Sequence, residues 1–293
     1  MKRCALLLVN RFARQGQSDL SQAIDRLKEL GLELIEVSPD RPEAISDLIR
    51  RYEGKVDRVL IGGGDGTLNA AIEGLVDTGL PLGILPLGTA NDLARTLGIP
   101  KALPDACKVI LGDRLQAIDL GWVNGQYFFN VASLGLSVKI TQQLNRDLKR
   151  RWGILAYGIT ALKVLFRSRP FTAHIRVGDD WHRIKTVQIA VGNGRYYGGG
   201  MTVAADAAIN DQRLDLYSLE IDHWWQMLAL LPAMRSGTHA SWNWVHGMHG
   251  QEFEIRTTRP LPINTDGEIT TSTPAVFRVI PKALSVFVPQ EQS

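Results

Sequence analysis

Along roughly the first 120 residues, short apolar runs alternate with amphipathic segments, the pattern of a parallel sheet covered by helices on both faces. Ala5 to Val9 predicts the first strand. Leu20, Ile24, Leu27 and Leu30 recur at helical spacing and stop at Gly31, a residue typical just past a helix end. Leu32 to Val37 predicts a second strand. Pro42 suits a first helical turn, with Ile45, Leu48 and Ile49 on one face, and Val56 to Ile61 predicts a third strand. The run Gly62-Gly63-Gly64-Asp65-Gly66-Thr67 then predicts a turn into one helix carrying Leu68, Ala71, Ile72 and Leu75. Leu82 to Leu85 predicts the fourth strand, and Pro86 to Asp92 a second polar turn entering a helix.

Beyond about Asp119 the texture changes. Val123-Asn124-Gly125-Gln126 reads as a hairpin turn, and strand-like segments then dominate: Phe171 to Val177, Ile184 to Val191, Leu214 to Leu219, Phe253 to Thr257, Val276 to Ile280 and Leu284 to Val288. Helical exceptions are Trp152 to Phe166 and His223 to Arg235. A mainly antiparallel second domain is therefore expected over residues 121–283, after a first domain over 1–120. Connections are short, so no flexible interdomain linker is expected.

Hydrophobic residues make up 45% and charged residues 22% of the 293, so a sizeable core can form and no tract reads as disordered. A net charge of +3 is too small to imply nucleic acid and merely permits contact with an anionic membrane. Cys4 and Cys107 are too few for a disulfide framework or a cysteine-based zinc site, and a cytoplasmic setting fits. The basic start with Ala5 to Val9 superficially resembles a signal peptide, but the apolar run is too short for one. Even Trp224 to Met234 is interrupted by Gln226 and Pro232, so membrane contact is expected only as a peripheral one, at the inner face.

The candidate chemistry lies in the two polar turns. Glycines at the carboxyl end of a strand let backbone N–H groups converge on phosphate oxygens, and the following helix start adds partial positive charge. Asp65 inside such a turn calls for a cation, a donor or a transferable proton, and Thr67 offers a hydroxyl. Read alone, the glycines make a tight turn with Asp65 and Thr67 as caps. There is neither a Gly-Lys-Ser/Thr sequence nor the G-x-G-x-x-G spacing. A second turn, with Gly88, Thr89, Asn91 and Asp92, would emerge on the same sheet edge, and the pair suits a nucleotide pocket.

The segments GGGDGTLNAAIEGL, PLGTANDLAR, VGNGRYYGGGM and NTDGE, in that order and across almost the whole chain, resemble the diacylglycerol kinase catalytic-domain family, and within it the YegS-like bacterial lipid kinases. GGDGT is shared with NAD kinases and sphingosine kinases; PLGTANDLAR is more specific. The resemblance implies an α/β nucleotide-binding N-terminal domain of the NAD kinase/diacylglycerol kinase type with a parallel sheet. It also implies a β-sandwich-like C-terminal domain, an active site in the cleft between the two, and a final strand, about 284–289, returning to the first domain. The implied reaction moves the γ-phosphoryl group of ATP to a lipid hydroxyl, of diacylglycerol, phosphatidylglycerol or similar, with ATP and Mg2+ as cofactors. Gly63, Gly64, Asp65, Gly66, Thr67, Leu68, Asn69 and Thr89 would contact ATP. Ser38 corresponds to a nucleotide-contacting hydroxyl position, although a Ser before Pro39 also suits the end of a strand.

Ala208-Ile209-Asn210-Asp211-Gln212-Arg213-Leu214-Asp215 resembles the family's loop ending in Asp-Gly-x-Leu. Asp211 then matches a magnesium-associated carboxylate, with main-chain carbonyls of Ala208 and Arg213 as companions, a weak or structural site. Gln212 stands where the family usually has Gly, which puts the φ angle there in question, and a plain surface turn explains Asp211 equally well. Thr265-Asp266-Gly267-Glu268 matches the segment whose Glu is the proton acceptor, a role that carries to Glu268; read alone it is a hairpin-like turn. Asp65 is the rival base.

Gly192 to Gly194, Arg195 and Gly198 to Gly200 read as a loop shaping the cleft. Trp224, Trp225, Leu228, Leu230 and Leu231 could meet lipid, although a helix packed on the sandwich is the plainer reading. His246 and His249 fall in a turn-like segment beside Trp242 and Trp244, with no H-E-x-x-H pattern. The expected partner is a lipid at a membrane surface, with no nucleic acid; oligomeric state is left open, a homodimer included. Two other functions compete: an NAD kinase-like enzyme with a soluble acceptor, and a lipid- or nucleotide-binding module without turnover. Gln212 and the Asn10 to Arg14 loop give the module some room.

Overall fold

The computed structural model describes residues 3–9, 17–39, 41–143, 169–194, 196–197, 201–202, 208–220 and 245–290. The sequence-predicted helices at Trp152 to Phe166 and His223 to Arg235, the Asn10 to Arg14 loop, Arg195, Gly198 to Gly200, Trp242 and Trp244 lie outside the described residues. The chain divides into two compact units, Met1–Leu120 with Ile280–Ser293, and Gly121–Tyr197 with Met201–Val279.

The first unit runs β1 (Cys4–Val9), α1 (Gln17–Glu29), β2 (Glu33–Val37), α2 (Ala44–Arg51), β3 (Arg58–Gly63), α3 (Asp65–Asn69), α4 (Ile72–Thr78), β4 (Leu82–Pro86), α5 (Asp92–Thr96), α6 (Leu103–Leu111) and β5 (Leu115–Val123) as far as Leu120. Strands β2, β1, β3 and β4 lie side by side in that order, all parallel. Leu6, Leu7, Leu8, Val59, Leu60, Ile61, Leu82 and Leu85 are fully buried, as continuous apolar strands are when both faces of a parallel sheet are covered. Helix α1 closes through two bonds, Gly31 N–H to Lys28 O and Leu32 N–H to Leu27 O, with Gly31 at φ +86°, a left-handed closure that favours glycine.

Three local expectations for this unit are corrected. Pro42 precedes the helix, its carbonyl accepting the Ile45 N–H, and α2 starts only at Ala44. Gly62 and Gly63 are strand residues, paired with Val9, Leu85 and Pro86, so Gly64 alone forms the turn before α3. The expected single helix after the glycines is broken into α3 and α4. Its cause is Ser46 of α2, whose hydroxyl donates to Ala70 O at 2.8 Å and accepts the Gly74 N–H at 3.0 Å. An unbroken helix would join that N–H to that carbonyl directly, and a side chain inserted into the ladder bends it.

The second unit continues with β6 (Gln126–Phe128), β7 (Val131–Gly135), α7 (Leu136–Gln143), β8 (Phe171–Val177), β9 (Asp180–Thr186), β10 (Gln188–Gly192), β11 (Tyr196–Tyr197), β12 (Met201–Thr202), β13 (Leu214–Leu219), β14 (Val245–Gly250), β15 (Glu252–Thr257), β16 (Pro262–Thr265), β17 (Glu268–Ser272) and β18 (Ala275–Phe287). One antiparallel sheet has the order β14, β13, β10, β7, β16, β17. Facing strands β9, β8, β15 and the start of β18 pair antiparallel in turn. Ala132, Leu134, Ile189, Val191, Leu214 and Leu216 from the first set share a core with Ala173, Ile175, Phe253, Ile255 and Phe277 from the second. That is the sandwich arrangement, with one face of each sheet turned inward.

The run Ile184 to Val191 is two strands, not one. At Val187 the chain leaves β9 for β10, its N–H bonding Leu219 O, while the buried Thr186 hydroxyl accepts the Gln188 N–H. His246 and His249 lie in β14, opposite Ser218 and Asp215, rather than in a turn. Val276 to Ile280 and Leu284 to Phe287 belong to one strand, β18, whose Ile280–Phe287 portion falls in the first unit, Val286 opposite Leu82 of β4. The Asn124-Gly125 hairpin is present: both residues have positive φ, 46° and 93°, and Val123 pairs with Gln126.

Candidate active site

Because β2, β1, β3 and β4 run parallel in register, Ser38, Gly64 and Leu87 follow their strands at one sheet edge. Ser38 is half-buried directly after β2, and its neighbours two and three strands away are the starts of the two polar turns. At an interstrand spacing of about 4.8 Å, the edge from β2 to β4 spans roughly 14 Å.

The two turns form one structure. A Cβ on Gly88 would lie 2.5 Å from the Gly64 Cα, so the turns touch backbone to backbone and only glycine allows it. A Cβ on Gly63 would fall 2.6 Å from Thr67 Cβ, because the buried Thr67 side chain lies over that strand end. Asn91, at φ 50°, braces the second turn from inside: its Oδ1 accepts the Gly88 N–H at 2.9 Å and its Nδ2 donates to Gly88 O at 2.8 Å. Asp65 Oδ1 accepts the Leu93 N–H at 3.3 Å, which ties the first turn to the helix leaving the second. The donor that this carboxylate required is thus a backbone amide in the second helix's first turn.

Thr89 and Gly66 are exposed, Leu68 is buried, and Asn69 is half-buried. Asn69 Oδ1 has no hydrogen-bond partner among the described residues although buried, an acceptor open to a ligand or water. Glycines packed where a Cβ cannot go and helix starts at one sheet edge suit a phosphate-bearing ligand, while the Asn69 oxygen suits a donor such as a hydroxyl or amino group.

In the second unit, Glu268 is exposed at the start of β17, just after a two-residue turn in which Asp266 and Gly267 have φ 48° and 103°. Asp266 anchors that turn: its carboxylate accepts the N–H groups of Phe129 (2.6 Å), Asn130 (3.0 Å) and Val131 (3.0 Å). Asn264 Oδ1 accepts the Gly267 N–H at 2.8 Å. The same Phe129-Asn130 backbone receives Asn193, whose side chain donates to Phe129 O at 2.9 Å and whose N–H bonds Asn130 O. The sequence placed Asn193 and Glu268 in separate motifs; the structure hangs both on one short segment. Sequence reasoning missed Asp266 and Asn91 as braces, although an Asx residue in a polar turn, beside Gly267 in one case and itself left-handed in the other, is the signal for such a role.

Ala208, Asp211 and Arg213 do come together, and Gln212 holds the left-handed conformation, φ 59°, that glycine would adopt there. The carboxylate is already engaged, however. Asp211 Oδ2 accepts the Ala208 N–H at 3.1 Å and Oδ1 the Arg213 N–H at 3.2 Å, while the Ala208 carbonyl accepts the Asp211 N–H. The Arg213 Nε stands 3.3 Å from Asp211 Oδ2 and 3.3 Å from Asp215 Oδ1. These oxygens are the right kind for magnesium, but a guanidinium occupies the neighbourhood of the charge, so the loop does not fit a dedicated divalent ion. Among the described residues no group of three or more His, Cys, Asp or Glu could hold a metal ion.

Residues 4–123 match the diacylglycerol kinase catalytic domain, and residues 130–288 match the YegS C-terminal NAD kinase beta sandwich-like domain. "Probable lipid kinase YegS-like" of Klebsiella pneumoniae (strain 342) is 32% identical over 98% of this chain and 97% of its own length. "Lipid kinase YegS" of Escherichia coli (strain K12) is 32% identical over 93% of this chain and 92% of its own. A crystal structure described as a diacylglycerol kinase from Bacillus anthracis str. Sterne shares the fold, with TM-score 0.75 and 22% identity over 98% of this chain and 97% of the other. With both domains matched in order and full-length relatives above 30% identity, the chain belongs to the diacylglycerol kinase catalytic-domain family, in its YegS-like lipid kinase branch.

Proposed function

We propose that this chain transfers the γ-phosphoryl group of ATP to the hydroxyl of a lipid such as diacylglycerol or phosphatidylglycerol. The observation that carries this is the fused cradle: Gly64 against Gly88, with Asp65 bonded to Leu93, gives two phosphate-binding turns that cannot move independently. Phosphoryl transfer needs mostly positioning and charge stabilisation, which a preformed backbone cradle provides without reorganisation.

In this reading Gly63 to Asn69 and Thr89 bind the triphosphate, and the Ser38 hydroxyl bonds the nucleoside end of the same edge. Glu268 takes the proton of the lipid hydroxyl as its oxygen bonds to the γ-phosphorus and the bond to the ADP oxygen breaks. An exposed, rigidly mounted carboxylate suits that task, since in a loose transition state the proton leaves late and the acceptor need only be close. Asp65 is the positioning group, one oxygen being committed to Leu93. Magnesium carried by the nucleotide would supply charge neutralisation at the phosphates.

No helix among the described residues is long and apolar enough to cross a membrane. In this reading the chain works in the cytoplasm and meets its lipid at a membrane surface. The test is incubation of the full chain with γ-labelled Mg-ATP and mixed phospholipid vesicles, or with NAD. Label in the lipid fraction supports the proposal; label in NAD selects a soluble-acceptor kinase; binding of ATP without transfer selects a module without turnover.

A further inference from the structure

We infer that the Arg213 guanidinium is the resident cation of the loop Ala208 to Asp215, so that this loop holds its shape without a bound divalent metal. Arg213 Nε lies 3.3 Å from one oxygen of Asp211 and 3.3 Å from one of Asp215, as charge contacts rather than aligned hydrogen bonds. Side-chain exposure is 29% for Arg213, 25% for Asp211 and 14% for Asp215, so the trio is partly withdrawn from water and its attraction only partly screened.

The loop is closed around this trio at several points. Asp211 accepts the N–H groups of Ala208 and Arg213, and Gln212 takes the left-handed turn between Asp211 and Arg213. Ile209 and Leu214 are buried on either side, 4% and 0% exposed, and Leu214 belongs to the sandwich core. A divalent ion on Asp211 would have to expel the guanidinium or sit beside it. Expulsion breaks the Arg213–Asp215 contact, and coexistence sets like charges together.

Two carboxylates and one guanidinium carry a net charge of −1; with Arg213 replaced by an apolar residue the value becomes −2, which a divalent ion would balance. Metal dependence is therefore a property the loop gains when Arg213 is lost. The inference concerns the loop alone, and its test contains no nucleotide or lipid, so it stands or falls separately from the kinase reading.

The test is thermal unfolding of the full chain in millimolar Mg2+ and in EDTA. Wild-type midpoints agree within about 1 °C, whereas Arg213→Leu unfolds earlier in EDTA and recovers about 3 °C in Mg2+, the size expected of an ion bound well above its dissociation constant. Arg213→Lys keeps the charge and stays insensitive to the ion. A wild-type midpoint that climbs several degrees with Mg2+, or an Arg213→Leu variant that ignores it, overturns the inference. Should Arg213→Leu not fold, Mn2+ titration of the wild type followed by EPR decides: no saturable site supports the inference, and a site lost in Asp211→Asn refutes it.

Discussion

Asp65 Oδ1 accepts the Leu93 N–H at 3.3 Å, so a carboxylate at the start of α3 caps the first turn of α5 across the strand-end edge. Asp65→Ala removes the cap and should lower stability by about 1 kcal/mol, roughly 2 °C in midpoint for a chain of this size. Asp65→Asn retains an oxygen acceptor at the same place and should unfold within about 1 °C of wild type. Thermal scans of the two variants side by side check the relationship.

Two glycines of the same cradle should respond in opposite ways. Gly88→Ala places a Cβ 2.5 Å from the Gly64 Cα and 2.6 Å from Asn91 Oδ1, contacts that backbone cannot relieve. It should cost about 1–3 kcal/mol and weaken Mg-ATP binding at least about tenfold. Gly66→Ala meets nothing within 4 Å and lies in α3, so it should leave stability unchanged or raise it by up to about 1 kcal/mol. Denaturant titration together with equilibrium nucleotide titration separates the two.

The break between α3 and α4 depends on Ser46. Ser46→Ala leaves the Gly74 N–H and the Ala70 carbonyl without their shared hydroxyl and should destabilise by about 1–3 kcal/mol. Gly74→Ala should also destabilise, despite alanine's better helix propensity, because its Cβ would lie 2.6 Å from Ser46 O. A stabilising Gly74→Ala in chemical unfolding would contradict this packing.

Asp266 and Glu268, two residues apart, should divide stability from turnover. Asp266→Ala strands three N–H groups of Phe129, Asn130 and Val131 and should cost at least about 2 kcal/mol. Glu268 is exposed, so Glu268→Gln should unfold within about 0.5 kcal/mol of wild type. Urea midpoints of the two variants report the difference directly.

The strands of the first unit were legible because apolar runs such as Ala5 to Val9 and Leu82 to Leu85 have few alternatives in a covered parallel sheet, and Gly31 marked a helix end through its φ of +86°. What escaped were effects of partners distant in sequence. Ser46 splits a helix whose own periodicity is unbroken, and Val187 divides an apolar run only because Leu219 offers its carbonyl there. The glycine turns were readable as candidate phosphate cradles, but not that Gly64 and Gly88 touch, nor that Asp65 serves Leu93. At the 208–215 loop, residue matching identified Asp211 but could not show a guanidinium already beside it.

Phosphoryl transfer to lipid, followed with γ-labelled Mg-ATP at saturating vesicle concentration, tests the central claim most directly when wild type, Glu268→Gln and Asp65→Asn are compared. The wild type should label a lipid; Glu268→Gln should lose at least about a hundredfold in kcat with ATP affinity kept, the scale of a general base. Asp65→Asn should keep most of its turnover. Label absent from every lipid, or turnover lost in Asp65→Asn and retained in Glu268→Gln, would contradict it.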